Sequence, residues 1–241
     1  MSITKLKIYG ERNSGTNYME QLIRENYRNF HILNNNFIGN IGGTGWKHGI
    51  PCTNCYDRLS TLAIVLFRDL NDWLISMYYN SYHLRNIEKF GSGDFNTFIT
   101  TKFFGLQYNM FEYYPFKFNP NEQDKKCINF ERNKDMFDIR YSKYKKYMKL
   151  KESNNVAFIK LDFLQKQPEF VLSELDKIYG LSKYRINEPF INVKKHTKTQ
   201  KNETNRKYDK SIIDKNFIDK HREKDIEEHI DSMTISCYKQ F

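Results

Sequence analysis

Residues 10–18 have the types and spacing of an anion-binding loop. Gly10 and Gly15 bound a short polar segment that lies between a predicted strand and a predicted helix. Such a loop directs backbone N–H groups and a helix N-terminus at one point, which attracts phosphate or sulfate. The spacing matches a P-loop, but Thr16 and Asn17 stand where Lys and Ser/Thr would hold a triphosphate and its magnesium. The loop therefore favours an anion other than magnesium-bound ATP.

Arg68 and Ser76 predict a second anion-binding group. Arg68 follows the apolar run 61–67, which is typical of a central parallel strand, and ligands bind at the carboxyl ends of such strands. Ser76 lies in the following helix, for which Asn71 is the predicted N-cap. A guanidinium suits phosphate because it donates two hydrogen bonds at once. An ion pair between Arg68 and Asp72 is the alternative interpretation.

Lys47 and His48 form a third candidate group at the end of another short predicted strand. Histidine can accept a proton near neutral pH, so His48 is a candidate general base on the same edge as both anion groups. A purely structural histidine is the alternative. Arg12 adds a fixed positive charge beside the loop.

The alternation of predicted strands and helices indicates an α/β fold with an open, mostly parallel sheet covered on both faces. We expect a single domain over residues 1–241, in which the aromatic region 85–135 is a lid or acceptor-binding excursion. The Lys-rich helix expected at 136–151 presents a solvated basic face. The other predicted elements are strands at 4–9 and 156–161 and helices at about 15–30, from 167 to 180, and at about 211–231.

The chain is basic, with 39 Lys and Arg against 29 Asp and Glu and a formal net charge of +10. This balance favours an anionic partner. We find no signal peptide and no apolar run of the roughly 20 residues that a membrane-spanning helix needs, so we expect a cytoplasmic protein. Cys52 and Cys55 lack a second pair for a zinc site, and we expect no metal and no disulfide framework.

Four segments together resemble the sulfotransferases that use 3′-phosphoadenosine-5′-phosphosulfate (PAPS). Residues 13–18 are similar to the family's 5′-phosphosulfate loop, and Arg68 with Ser76 has the family's Arg-x7-Ser spacing for the 3′-phosphate. Residues 47–51 are similar to the Lys-x-His-x-Pro segment of cytosolic members. Residues 156–168 are similar to a later strand, acidic residue and proline pattern.

The resemblance implies a P-loop-like three-layer fold and transfer of a sulfuryl group from PAPS to a hydroxyl or amine acceptor. The product is 3′,5′-adenosine bisphosphate (PAP), and no metal is required. His48 is then the general base, and Lys47 and Arg12 stabilise the leaving group. The implied cofactor-binding residues are Asn13, Ser14, Gly15, Thr16, Asn17, Tyr18, Arg68 and Ser76.

The chain departs from the family pattern at several positions. Asn13 replaces the basic residue before Ser-Gly-Thr, and the Lys-x-His spacing is shortened to Lys47-His48. The C-terminal Arg-Lys-Gly segment is absent, and its candidate replacements are Lys194, Lys195, Lys198 and Lys201. Glu11 and Asp69 are alternative bases.

Three other functions stay open on the sequence. One is a P-loop kinase-like nucleotide enzyme, which the missing Gly-Lys-Ser/Thr disfavours. Another is a nucleic-acid-binding protein driven by the positive charge. The last is a non-catalytic relative of sulfotransferases that binds nucleotide without turnover. The acceptor is a glycan, protein, lipid or small molecule that the sequence does not specify.

Overall fold

In this computed structural model, the chain has an α/β fold in which a five-stranded, mostly parallel sheet is flanked by helices. This confirms the predicted α/β class with a mostly parallel sheet covered on both faces. The described residues are 2–27, 30–33, 47–48, 51, 59–80, 94–101, 135–152, 154–181, 189–193 and 208–240. Among them, no helix is long and apolar enough to cross a membrane.

The sheet has the strand order β2-β1-β3-β4-β5. Its strands are β1 (Lys5–Gly10), β2 (His31–Ile32), β3 (Thr61–Phe67), β4 (Asn155–Lys160) and β5 (Ile235–Tyr238). Neighbours pair in parallel except β4 and β5, which are antiparallel. The sequence predicted β1, β3 and β4, whose apolar runs are buried, but not the short edge strands β2 and β5.

The described helices are α1 (Thr16–Asn26), α2 (Leu70–Tyr79), α3 (Phe95–Thr100), α4 (Met136–Met148), α5 (Leu161–Lys166), α6 (Pro168–Tyr179), α7 (Lys215–His221) and α8 (Lys224–Ser232). Short 3-10 helices span Lys149–Glu152 and Lys210–Ile212. The helix predicted from 167 is confirmed: Pro168 occupies its first turn, and it ends at Gly180 with a φ of 66°.

Two apolar cores cover the two faces of the sheet. Alternate residues of β3 point to opposite sides, so that Ala63 and Val65 enter one core while Leu62 and Ile64 enter the other. We call the side covered by α2, α3, α4, α7 and α8 the α2 face, and the side covered by α1, α5 and α6 the α1 face. Helices on both faces are what a sheet with buried parallel strands requires.

Two helix ends differ from the sequence prediction. Helix α1 ends at Asn26 rather than near residue 30, because Tyr27 is extended (φ −132°, ψ 138°) and leads the chain into β2. Helix α2 is capped by Asp69 and not by Asn71: the Asp69 side chain accepts a hydrogen bond from the Asp72 amide. Asp69 is therefore committed to the helix terminus, which weakens it as an alternative base.

The C-terminal helix predicted at about 211–231 is wrong as a single element. Arg222 and Glu223 have extended backbone angles, which separate α7 from α8, and the side chain of Asp214 starts α7 by accepting from the Phe217 amide. The break allows both Ile218 and Ile230 to reach the core of the α2 face.

The solvated basic face predicted for 136–151 is wrong at one position. Lys145 and Lys149 are exposed, but Lys143 is buried together with Arg140. Of the region predicted as a lid at 85–135, residues 94–101 and Asp135 are described. In it, α3 packs Phe95 and Phe98 into the core of the α2 face, and the remainder lies outside the described residues.

Candidate functional site

The predicted anion groups meet at a crevice between the carboxyl ends of β1 and β3. These strands are neighbours, and Gly10 pairs with Leu66, so both end at nearly the same level. The chain leaves β1 through α1 on one face toward β2, and leaves β3 through α2 on the other face toward β4. Such a reversal of direction opens a crevice, and it is where ligands bind in open α/β sheets.

The loop over residues 10–16, which we call the anion loop, has two residues in the left-handed region. Asn13 has a φ of 61° and Gly15 a φ of 85°. Asparagine is one of the few side-chain-bearing residues that adopt this conformation readily, which explains its presence at position 13. The amides of Asn13, Gly15 and Thr16 donate to no backbone carbonyl within the described residues. The intervening amide of Ser14 donates to the Glu11 carbonyl at 3.2 Å. Amides that point outward from such a turn can bind an anion.

The carbonyl groups of the anion loop are bound by the surrounding protein. The acceptor–donor pairs are Gly10 O with His48 Nδ1 (2.9 Å), Glu11 O with Ser14 Oγ (2.6 Å), Arg12 O with Trp73 Nε1 (3.0 Å) and Asn13 O with Arg68 Nη1 (3.1 Å). Because the negative ends of these peptide dipoles face protein donors, an anion in the crevice meets the amide ends.

Glycine is required at position 10 by close packing. A Cβ there would overlap Ser14 Oγ and approach the Leu66 carbonyl oxygen to 3.0 Å. At position 15, both the positive φ and the side chain of Leu161 exclude a Cβ. Close packing at position 10, and packing together with a positive φ at position 15, therefore explain why both residues are glycine.

Asn13 connects the two predicted anion groups. Its carbonyl accepts from Arg68, while its side-chain amide donates to the Ser76 carbonyl (3.3 Å) and contacts Met77 Sδ (3.4 Å). The Asn13 side chain therefore holds the loop against α2 and is not directed at a leaving group. Ser76 is buried, and its hydroxyl accepts from Asn80.

Arg68 donates directly to the loop backbone, at the Asn13 carbonyl. Within the described residues it forms no ion pair with Asp72, whose carboxylate instead pairs with Lys210 at 2.7 Å. Burial lowers the pKa of Arg68, and the charges of Asp72 and Asp162 partly offset this. Arg68 stays a cation at neutral pH, since arginine titrates far above it.

Lys47 and His48 lie in a turn. Their side chains are therefore not forced to opposite faces, as neighbouring side chains of a strand would be. The Lys47 amine donates to the Asn17 side chain on the first turn of α1, and the Lys47 carbonyl accepts from the Gly10 amide at 2.9 Å. Of the other residues in this segment, Pro51 is described, and residues 49–50 lie outside the described part.

The ring of His48 has a defined orientation at the anion loop. Its side chain is buried, and Nδ1 lies 2.9 Å from the Gly10 carbonyl oxygen. A carbonyl can only accept, so Nδ1 carries the hydrogen, and in the neutral ring the lone pair then lies on Nε2. The hydrogen bond to the anion loop fixes both the tautomer and the ring position.

Three other predicted residues lie around α1. Thr16 is buried at its N-terminus, and Arg12, the third residue of the anion loop, is half-buried. Tyr18 is buried in the core of the α1 face, and its hydroxyl donates to Asn192 at 3.4 Å. The candidate cations Lys194, Lys195, Lys198 and Lys201 lie outside the described residues.

Sequence reasoning missed a buried ionic cluster beneath the loop. Arg140 on α4 donates from Nη1 to Glu11 Oε2 (2.6 Å) and from Nε to Glu227 Oε1 of α8 (2.7 Å). Burial alone would lower the pKa of Arg140, but the two carboxylates outweigh it and raise that pKa. Glu11 is committed to this ion pair, which weakens it as an alternative base.

One signal in the sequence could have identified Arg140. It shares a helix face with Phe137, Tyr144 and Tyr147, which recur at helical spacing and are all buried. A cation on an apolar face must be paired if it is buried, which predicts an acidic partner elsewhere in the chain.

Lys7 was also missed, within a strand that reads as apolar. It is fully buried on β1, with its amine 5.3 Å from the centre of the Tyr9 ring. Burial, and then the charge of Lys47, lowers the pKa of Lys7 to about 7, while Glu20 partly opposes the shift.

Comparisons with known proteins find no family model, no curated protein and no solved structure that matches this chain.

Proposed function

We propose that this chain is a sulfotransferase with a P-loop-like fold that transfers a sulfuryl group from PAPS to a hydroxyl or amine acceptor. The observation that carries the proposal is the hydrogen bond from Arg68 to the carbonyl of Asn13. It joins the two predicted anion groups, which are 55 residues apart in sequence, in one crevice. A ligand with anionic groups at both ends, such as PAPS, fits that arrangement.

The residues around the crevice suit a phosphosulfate better than a triphosphate. The anion loop offers amides, and Arg12, Lys47 and Arg68 offer cations, but the position of the P-loop lysine is occupied by buried Thr16. The carboxylate of Glu11, within the loop, is paired with Arg140. In the proposal, the loop amides hold the 5′ end of the nucleotide and Arg68 with Ser76 holds the 3′-phosphate.

His48 is the proposed general base. The acceptor oxygen or nitrogen forms a bond to sulfur while the bond from sulfur to the bridging oxygen breaks, and that oxygen leaves with PAP. The acceptor proton passes to Nε2 of His48, because Nδ1 already carries the hydrogen donated to Gly10. Lys47 and Arg12 stabilise the negative charge that develops on the leaving phosphate.

The base assignment is tested by His48→Asn. An asparagine amide can replace Nδ1–H as the donor to Gly10 and thereby keep the loop in place, but it cannot accept the proton. We expect PAP affinity to be retained and sulfuryl transfer from labelled PAPS to fall by about 100-fold or more. His48→Ala, which loses both functions, is the matched comparison. Undiminished turnover in His48→Asn would assign the base to another group.

The 3′-phosphate assignment is tested by Arg68→Ala with two nucleotides. Loss of a charge-assisted contact should weaken PAP binding by roughly 10- to 100-fold, and binding of adenosine 5′-phosphate much less. Lys145→Ala removes an exposed cation from α4 and is the control for net charge. Equal losses for both nucleotides would dismiss the assignment.

A further inference from the structure

Arg140 connects the anion loop with the end of β3. Its Nη1 binds the carboxylate of Glu11, the second residue of the anion loop, and its Nη2 donates to the backbone carbonyl of Arg68 at 2.8 Å. These two acceptors lie at the ends of β1 and β3, on either side of the crevice. One guanidinium therefore fixes the distance between them.

Two further contacts hold the guanidinium itself in place. Glu227 accepts from both Nε (2.7 Å) and Nη2 (2.9 Å), and the guanidinium lies 5.2 Å from the centre of the Trp73 ring. The indole of Trp73 in turn donates to the Arg12 carbonyl of the anion loop at 3.0 Å. The loop is thus reached from Arg140 by two routes, through Glu11 and through Trp73.

Stability alone does not account for this cluster. One guanidinium and two carboxylates, all nearly inaccessible to solvent, carry a net negative charge. Desolvation of such a group commonly cancels its Coulombic gain, and apolar side chains of similar volume would pack as well. What the charged cluster supplies is fixed geometry, because a guanidinium presents its donors in a rigid plane.

We propose that Arg140 is a positioning residue that sets the anion loop against the end of β3. The inference rests on the sulfotransferase function proposed above, in which the loop and Arg68 hold opposite ends of one nucleotide. Glu227 orients the guanidinium from α8, so this helix supports the site through Arg140.

The test is Arg140→Lys, because one ammonium cannot reproduce the planar set of donors to Glu11, Glu227 and the Arg68 carbonyl. We expect PAP affinity to fall by roughly 10- to 100-fold, the usual effect of a small misplacement of binding groups. We also expect the indole N–H of Trp73 to exchange with solvent roughly tenfold faster, because its acceptor on the loop moves. The chain has two tryptophans, so Trp46→Phe assigns the NMR resonance.

Tyr179→Phe is the matched control. The Tyr179 hydroxyl donates to the Val156 carbonyl at 2.7 Å, so the variant also loses a buried hydrogen bond, but between α6 and β4. We expect its PAP affinity and Trp73 exchange to stay at the wild-type values. Equal behaviour of Arg140→Lys and Tyr179→Phe would overturn the positioning role.

The exchange measurement needs no ligand, so it separates the two proposals. If the wild-type protein binds no PAP but Arg140→Lys accelerates Trp73 exchange, the function fails and the positioning role stands. If Arg140→Lys does not fold, Glu11→Gln and Glu11→Ala replace it. Glutamine still accepts from Arg140 and should keep slow Trp73 exchange, whereas alanine should not, and equal exchange in these two variants would overturn the role.

Discussion

The two faces of the sheet are built differently. The α1 face is closed by apolar side chains from α1, α5 and α6, with tyrosine hydroxyls that donate to backbone carbonyls. The α2 face contains an apolar core of its own, but its helices also bury the charged side chains of Arg140, Lys143 and Glu227. Both faces support the sheet, and within the described residues only the α2 face also supports the anion loop through buried charges.

The two faces therefore have different roles: apolar packing stabilises the fold, and the ionic cluster defines the position of the anion loop. Apolar burial is non-directional and tolerates small shifts, whereas an ionic cluster requires defined distances. The α2 face receives the chain after β3, so it is the face that can hold the loop and Arg68 in a fixed relation. The α1 face positions the first turn of α1 through packing of Met19 and Leu22.

The largest expected effect comes from Arg140→Met. It leaves the buried carboxylates of Glu11 and Glu227 without their cation, which should lower the free energy of unfolding by about 3–5 kcal/mol. The combined variant Arg140→Met, Glu11→Gln and Glu227→Met removes the uncompensated charge and should recover most of that loss. Urea denaturation measures both.

On the α1 face, Leu175→Ala in α6 should cost about 2–5 kcal/mol through cavity formation and leave PAP affinity unchanged. The combined variant Arg140→Met, Glu11→Gln and Glu227→Met on the α2 face should show the opposite pattern. Its free energy of unfolding should lie near the wild-type value, and its PAP binding should be weak. A combined variant that stays as unstable as Arg140→Met would mean that the two faces are not distinguished in this way.

Gly10→Ala and Gly180→Ala compare two glycines at the ends of elements. The first substitution forces Ser14 and the Leu66 carbonyl to move, and we expect a loss of about 1–3 kcal/mol together with weaker PAP binding. The second meets nothing within 4 Å but keeps a positive φ, at a cost of about 1–2 kcal/mol. Thermal unfolding and calorimetry with PAP distinguish them, since only Gly10→Ala should alter binding.

Lys7 makes stability depend on pH in a defined direction. Its pKa is lowered to about 7 in the folded protein and is 10.5 in the unfolded chain, so above pH 7 the unfolded state binds the additional proton. The free energy of unfolding therefore rises with pH, by up to about 1.4 kcal/mol per unit. Between about pH 7 and pH 9, Lys7→Met should flatten this rise and Lys5→Met should not; equal slopes in the two variants would contradict the burial of charge at Lys7.

The smallest effects are expected from exposed ion pairs on either face. Arg24 pairs with Glu20 on α1, and Lys145 of α4 pairs with Glu223, with more than half of each cationic side chain exposed. Arg24→Ala and Lys145→Ala should each lower the free energy of unfolding by less than about 0.5 kcal/mol. A large loss of stability in Lys145→Ala alone would mean that the α2 face depends on its exposed charges as well as on its buried ones.

The parts of the fold that the sequence predicted are those with local causes. The apolar run 61–67, the proline at 168 and the glycine at 180 act within a few residues and were interpreted correctly. The edge strands β2 and β5 are short and form only because a neighbouring strand offers hydrogen bonds, so no local pattern indicates them. The prediction of Asn71 as the N-cap is wrong, because the Asp69 side chain accepts from the Asp72 amide and caps the helix instead.

The candidate site also contains features that the sequence predicted from local patterns and features that depend on distant parts of the chain. The spacing of Gly10 and Gly15 and the position of Arg68 after an apolar strand were enough to predict that the anion groups share one edge. The groups that Trp73 and Arg140 bind in the loop were not predictable, because both side chains approach from helices whose packing follows from the whole core. Trp73 donates to the Arg12 carbonyl, and Arg140 donates to the Glu11 carboxylate. The chemical role of Asn13 became understandable only with its positive φ.

The most direct test of the proposed function is calorimetric titration of the wild-type protein with PAP in the presence of a chelator. We expect binding that is independent of magnesium, because in the proposed function the anion loop, Arg68 and the neighbouring cations hold the ligand without a metal. We also expect PAP to bind more tightly than magnesium-bound ATP, for which the loop lacks the P-loop lysine. No binding of PAP, or tighter binding of magnesium-bound ATP, would contradict the proposed function.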